Sequence, residues 1–74
     1  MRVTVKLYAT LRDDRFEIQE RDLPDGSSLG GLLADLGIDA DRAALRFVGG
    51  RHADLTDELH DGDTVALFPP IGGG

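Results

Sequence analysis

The chain ends in three glycines, and the free carboxylate of Gly74 is the group to which we assign chemistry. Glycines have no side chain to pack, so Gly72–Gly74 adds nothing to a core. When extended, the three residues reach about 10 Å beyond Ile71, at roughly 3.3 to 3.6 Å per residue, and they fit a channel too narrow for a β-carbon. The alternative is a frayed end, because glycine-rich termini are often disordered and without function. The residues that precede the tail decide between the two.

Other residue types offer no competing chemistry. The chain has no cysteine, which excludes disulfides, zinc–thiolate sites and a catalytic thiol of its own. His52 and His60 lie among acidic residues, but their spacing does not indicate a metal site. No lysine, serine or helix follows the glycines, so they are not a phosphate-binding loop, and no serine, histidine and acid follow the order of a triad.

Size and charge indicate one small domain and disfavour nucleic acid as its partner. The 74 residues leave room for a single core layer. The 14 acidic against 8 basic residues give a formal charge of -6, which disfavours nucleic acid; the charge serves solubility or steers the chain towards a basic docking surface. No apolar run approaches the ~20 residues of a membrane span, and Met1 begins no signal segment, so we expect a cytoplasmic protein.

Hydrophobic alternation predicts a hairpin in the first third of the chain. Residues 3–7 alternate between apolar and polar side chains, which is the period of a strand with one face on the core. Phe16 and Ile18 alternate with Glu17 and Gln19, and the run closes at the turn of residues 24–26. The second run therefore predicts the partner strand of the hairpin.

One amphipathic helix follows the hairpin. Leucines at positions 29, 32, 33 and 36 form a single stripe, Ser27 or Ser28 is placed to cap the helix, and Gly37 is placed to end it. Gly30 and Gly31 weaken its first turn by roughly 1 kcal/mol each relative to alanine. Either the sheet supports the helix, or a close backbone approach requires the glycines; both explanations stay open at this point.

The second half of the chain predicts three more strands. Leu45 and Phe47 point to one face and their neighbours to the other, and Gly49–Gly50 suits a tight turn into a short return strand, Arg51–Ala53. After the turn at residues 61–63, Val65 and Leu67 enter the sheet, while Thr64, Ala66 and Phe68 face outward. Paired strands with one helix indicate an α+β layer, and neighbouring first and last strands would be parallel.

These segments together resemble the MoaD/ThiS family of ubiquitin-like sulfur carriers. The match spans the chain and rests on residues 3–9 (VTVKLYA), Leu32–Leu33, residues 61–65 (DGDTV) and residues 68–74 (FPPIGGG). The proline pair favours the MoaD side, and the third glycine departs from the family without altering the expected mechanism. The resemblance implies an α+β, ubiquitin-like β-grasp, with a mixed sheet of four to five strands and one helix across one face. It implies a domain of residues 1–71 with a tail of residues 72–74.

The resemblance also implies how the tail works. A partner, a ubiquitin-activating-like adenylating enzyme, uses ATP to convert the Gly74 carboxylate to an acyl adenylate, and a sulfur donor then leaves a thiocarboxylate. The sulfur passes to an acceptor enzyme such as the large subunit of molybdopterin synthase. The chain is then a carrier rather than an enzyme, and it binds no cofactor stably. A side chain at Gly73 or Gly74 would obstruct ATP and the sulfur donor.

Docking residues follow from the same resemblance. Tyr8 and Phe68 occupy outward positions where the family places an apolar patch, His52 matches a third patch position, and Arg12 matches a basic position that meets an acidic residue of the activating enzyme. The alternatives are scattered surface aromatics, a solvated histidine and an ordinary surface arginine.

The segment between the last strand and the tail completes the predicted binding residues: Pro69, Pro70, Ile71 and Gly72. The prolines stiffen the exit through polyproline geometry, or they end the strand, since proline cannot donate to a ladder.

Two rival functions remain open. In the first, a protein modifier, the activated glycine is joined to a lysine of a target; the single lysine, Lys6, leaves little means of building chains. In the second, the protein is a β-grasp interaction domain with an inert tail. The carrier hypothesis also leaves the acceptor pathway open among molybdopterin, thiamine, cysteine and tungsten-cofactor synthesis.

Overall fold

The computed structural model describes residues 1–70 and contains five strands and two helical segments within them. The strands are β1 (Arg2–Leu7), β2 (Ile18–Asp22), β3 (Leu45–Val48), β4 (Arg51–His52) and β5 (Thr64–Phe68); the helices are α1 (Leu29–Leu36) and a 3-10 turn (Ala9–Arg12). The predicted order of elements is confirmed, apart from the 3-10 turn, which the sequence did not indicate. β4 is one residue shorter than predicted, although the Ala53 N–H still donates to the Arg46 carbonyl at 2.9 Å. The predicted boundary between domain and tail lies outside the described residues.

The five strands form one mixed sheet in the order β2-β1-β5-β3-β4. β1 and β5 are parallel neighbours, whereas the other three pairs are antiparallel. The predicted parallel pairing of the first and last strands is therefore confirmed. β5 lies at the centre of the sheet, so the segment that leads to the tail starts from the middle of the molecule.

Alternation along the two central strands builds the core. Val3, Val5 and Leu7 of β1 face the same side as Val65 and Leu67 of β5, and all five side chains are at most 1 % exposed. Three of the helix leucines, at positions 29, 32 and 33, complete this cluster, while Leu36 is only partly buried. The helix thus covers one face of the sheet, and the side chains of the opposite face are left outward.

The register of β2 corrects the prediction for Phe16 and Ile18. β2 begins at Ile18, so Phe16 precedes the strand and packs, partly buried, against the core. Ile18 lies opposite Lys6, and Gln19 lies opposite Val5, so the isoleucine is on the outward face. Its side chain is 58 % exposed. The two apolar residues are therefore not successive positions on one buried face.

The ends of α1 follow from its capping residues. Ser28 is the N-cap, because its Oγ accepts a hydrogen bond from the Gly31 N–H at 3.1 Å, whereas the Ser27 Oγ donates to the Pro24 carbonyl. Gly37 ends the helix with a φ of 71°, a left-handed conformation that favours glycine.

The structure separates the two explanations for the helix glycines. The Gly30 N–H donates to the Leu55 carbonyl at 2.8 Å, and a β-carbon on Gly30 would lie 3.1 Å from that oxygen. The close approach is therefore real at Gly30. At Gly31 a β-carbon would meet only the Ser28 Oγ at 3.6 Å, an ordinary contact.

Replacement of the N-cap gives the first prediction. Ser28→Ala removes the acceptor for the Gly31 N–H and should lower the free energy of unfolding by about 1 kcal/mol, measured by urea denaturation. Ser28→Asp is the control, because its carboxylate can accept the same bond and also favours the positive end of the helix dipole. Equal destabilisation by both variants would show that the loss does not come from the hydrogen bond to the Gly31 N–H.

Candidate docking face

The outward face of the sheet carries a cluster of rings beside the end of β5. The Tyr8 and Phe68 rings stack with centroids 4.3 Å apart and planes within 10°. The Phe47 ring meets Phe68 edge to face at 5.9 Å and meets His52 in the same way at 5.8 Å. Such arrangements suit the quadrupoles of the rings and are worth about 0.5 to 1.5 kcal/mol per aromatic pair beyond burial. We call these four residues the aromatic cluster.

Strand register explains why these side chains meet. The Tyr8 N–H donates to the Leu67 carbonyl at 3.1 Å, which holds Tyr8 next to Phe68 just beyond the end of β1. Phe47 of β3 lies opposite Ala66 of β5 on one side and opposite His52 of β4 on the other. The three phenyl rings are half-buried and His52 is exposed, so the cluster presents an apolar surface to solvent.

Three of the predicted docking residues are thus brought together, namely Tyr8, Phe68 and His52. Phe47, which joins Phe68 to His52, was not among them. Its alternation with Arg46 did place it on the same side as Leu45, but strand periodicity does not say which side faces the helix. The antiparallel pairing of β3 with β5 settles that point.

Arg12 lies apart from the aromatic cluster, at the end of the 3-10 turn. Its side chain is exposed, and its Nη1 donates to the Glu17 Oε1 at 2.8 Å. Together with Glu17 it lines a cavity of about 220 Å³ that Tyr8 borders. A partner carboxylate would therefore have to compete with, or add to, an existing ion pair.

The segment after β5 is described only as far as the proline pair. Pro69 is half-buried and Pro70 is exposed, directly after Phe68. The predicted site residues Ile71, Gly72, Gly73 and Gly74 lie outside the described residues. What the structure does show is that the chain enters this segment from the aromatic cluster.

The acidic residues near His60 stabilise turns. The Asp57 carboxylate accepts a hydrogen bond from the Asp54 N–H at 2.9 Å, the Asp63 carboxylate accepts one from the His60 N–H at 2.8 Å, and the Asp61 carboxylate accepts one from the Arg2 N–H at 2.7 Å. A cavity of about 500 Å³ lies here, beside the start of β5, and His52 also lines it. Within residues 1–70, no three histidine or acidic side chains are grouped as metal ligands.

One ion pair fixes the first register position of β1 and β2. The Arg2 Nε donates to the Asp22 Oδ1 at 2.9 Å, and this hydrogen bond and the attraction between the charges hold the pKa of Asp22 below its usual range. Both side chains are exposed.

Across residues 1–70 no helix is long and apolar enough to cross a membrane.

The sheet order, the single helix across one face and the outward cluster at the end of the central strand define the class of ubiquitin-like β-grasp proteins. The model of the ThiS family matches residues 5–74. The chain belongs to the ThiS family, which confirms the resemblance to the MoaD/ThiS sulfur carriers. None of the curated protein sequences is significantly similar to it.

Solved structures agree with this class. A protein of Pyrococcus furiosus assigned as molybdopterin converting factor subunit 1 is 28 % identical with a TM-score of 0.80, covering 96 % of this chain and 99 % of that one. Small archaeal modifier protein 1 of Haloferax volcanii is 21 % identical with a TM-score of 0.77, covering 95 % and 98 %. Subunit 1 of the Helicobacter pylori factor, solved in complex with subunit 2, is 24 % identical with a TM-score of 0.67 over both full chains. The last two show likeness of fold alone.

Proposed function

We propose that this chain carries sulfur as a thiocarboxylate on Gly74, formed after adenylation by a partner enzyme, and delivers it in molybdopterin biosynthesis. One observation carries the proposal: Phe68 is at once a member of the aromatic cluster and the last residue of the central strand. A surface suited to docking therefore adjoins the segment that leads to the glycines. An enzyme that covers the cluster would also hold the start of the tail.

The chemistry needs an enzyme because a carboxylate is a poor electrophile. An oxygen of the Gly74 carboxylate attacks the α-phosphorus of ATP, and pyrophosphate leaves. Hydrosulfide sulfur, from a donor, then attacks the carbonyl carbon; the bond to AMP breaks, AMP leaves and a proton is released. ATP belongs to the partner, and the chain itself binds no cofactor stably and is not an enzyme.

The aromatic cluster supplies the docking surface in this proposal. Buried aromatic side chains at the centre of an interface carry a large share of binding energy. Tyr8 and Phe68 are already stacked, so docking does not require them to be ordered first. His52 extends the surface at the β4 edge, Arg12 adds a cation in the cavity that Tyr8 borders, and Pro69–Pro70 restricts the direction in which the tail leaves.

The choice of pathway rests on two observations. The proline pair before the glycines favours the MoaD side of the family, and the Pyrococcus furiosus protein assigned as molybdopterin converting factor subunit 1 aligns with 96 % of this chain. We therefore propose an acceptor enzyme equivalent to the large subunit of molybdopterin synthase, and a cytoplasmic location. Other acceptors, and conjugation to a target lysine, would start from the same activated Gly74.

The test is the intact mass of the purified chain after incubation with ATP, sulfide and the ubiquitin-activating-like enzyme of its host. We expect a gain equal to the replacement of one oxygen by sulfur, and no gain when ATP is omitted. A mixture of covalent adducts at lysines of added protein, without the sulfur product, would instead support a modifier. No gain at all, with an enzyme shown to be active on its known carrier, would contradict the proposal.

A further inference from the structure

The outward face of the β1–β2 pair has a position at which a charge partner is missing. At one end, Arg2 of β1 lies opposite Asp22 of β2, and Arg2 contacts both Asp22 at 2.9 Å and Glu20 at 4.0 Å. At the other end, on the same face, Lys6 lies opposite Ile18. Arg2, at the start of β1, is thus balanced by carboxylates of β2. Lys6, near the end of β1, faces an aliphatic side chain instead.

Within residues 1–70, Lys6 has no counter-charge and Ile18 has no apolar cover. Lys6 forms no ion pair with any carboxylate of residues 1–70. Ile18 is 58 % exposed and is the one large hydrophobic side chain of these residues that is classed as exposed. An exposed aliphatic side chain is common by itself, but here it lies on the face that already carries the aromatic cluster.

Strand register makes this pair continuous with the aromatic cluster. One row of outward residues crosses all five strands in the sequence Ile18, Lys6, Ala66, Phe47 and His52. The row contains no carboxylate, although the whole chain has 14 acidic residues. Lys6 is the one lysine or arginine in this row. A partner that covers this row would therefore meet a positive charge set in apolar surroundings.

The cavity of about 220 Å³ adjoins the same pair. Lys6, Tyr8 and Ile18 line it. Arg12 and Glu17 line it as well, and the Arg12 Nη1 lies 2.8 Å from the Glu17 Oε1. The acidic side chain of the cavity is therefore already engaged. Tyr8 belongs to both the cavity and the aromatic cluster, so an occupant of the cavity would lie directly beside the docking surface.

We propose that Ile18 and Lys6 form a second docking subsite for the adenylating enzyme, additional to the aromatic cluster. Its occupant is a surface segment of that enzyme in which an apolar side chain lies next to an aspartate or glutamate. The apolar side chain covers Ile18, and the carboxylate supplies the counter-charge that β2 does not give to Lys6. This inference rests on the proposed function, because it assumes that the chain is adenylated by a partner.

The first test is Ile18→Ser, assayed by pyrophosphate release with varied carrier concentration. The KM for the carrier should rise about tenfold with kcat unchanged, because Ile18 contributes to docking and takes no part in the reaction of the carboxylate. Gln19→Ser is the matched control: it lies on the same strand, is exposed and faces the other side, and should leave both constants unchanged. Circular dichroism should show both variants folded, since neither side chain is buried.

The second test reverses the charge of Lys6. Lys6→Glu should raise the KM by roughly tenfold or more at low salt, with a smaller effect as salt screens the charges. Lys6→Arg should retain wild-type behaviour. Because the chain has a single lysine, acetylation of lysine should reproduce the loss in the wild-type chain and have no such effect in Lys6→Arg.

The outcomes separate this inference from the proposed function. A wild-type chain that gains sulfur, with an unchanged KM for Ile18→Ser and Lys6→Glu, would overturn the subsite and leave the carrier function standing. Weakened binding to the acceptor enzyme alone would overturn the assignment to the adenylating enzyme. A wild-type chain that is never adenylated would remove the proposed function itself.

Discussion

A chain that lacks Gly73 and Gly74 should form no thiocarboxylate and should keep the free energy of unfolding of the full chain. The reacting group is the carboxylate of the last glycine, and the new carboxylate on Gly72 would fall short by about 7 Å, the length of two extended residues. The fold should not respond, because the last core side chain of the described residues is Leu67. The intact mass after the adenylation assay measures thiocarboxylate formation, and urea denaturation measures the free energy of unfolding.

The truncated chain also supplies its own control for docking. It keeps the aromatic cluster, so it should still bind the adenylating enzyme and compete with the full-length chain. Competitive inhibition of pyrophosphate release, with no product from the truncated chain, would show that docking and chemistry are separable. A truncated chain that still gained sulfur would show that the carboxylate of Gly74 is not required and would contradict the proposal.

Phe68→Ala should raise the KM of the adenylating enzyme for the carrier by roughly thirtyfold, the equivalent of about 2 kcal/mol of binding free energy. Phe68 contacts both Tyr8 and Phe47, so its removal separates the cluster into two parts. It also adjoins Pro69, so the variant would loosen the start of the tail. Some loss of folding stability should accompany the effect, because two ring contacts are removed.

Thr64→Ala is the matched control for this change. Thr64 lies on the same strand and the same outward face, at the opposite end of β5. Its substitution should leave the KM near the wild-type value. Phe68→Leu should fall between the two, since it retains apolar area but not the stacked ring. Similar KM values for Phe68→Ala and Thr64→Ala would show that the cluster does not dock.

The sequence predicts the docking face best where alternation within a single strand is enough to tell which side chains face outward. Alternation in β1 and β5 places Tyr8 and Phe68 outward, and the parallel pairing of these two strands brings them side by side. The core face of the helix is equally clear, because only one stripe of leucines follows its period.

The parts that the sequence could not predict depend on relations between strands. The outward direction of Phe47 required the pairing of β3 with β5, since periodicity within four residues fits either face. The outward direction of Ile18 required the connection between β1 and β2, where the 3-10 turn sets the register. A one-residue shift of that register would have turned Ile18 towards the core.

The parallel pairing of β1 with β5 determines when the chain can fold during its synthesis. Thr4 has a neighbour on β2 at Glu20, but its neighbour on β5 is Thr64, so the centre of the sheet stays open until nearly all of the chain has left the ribosome. Such long-range pairing delays folding to the last step of translation. The segment that carries the glycines is made directly after the strand that closes the sheet. A chain terminated before β5 would therefore be unfolded as well as tailless, so it could neither occupy the activating enzyme nor consume its ATP.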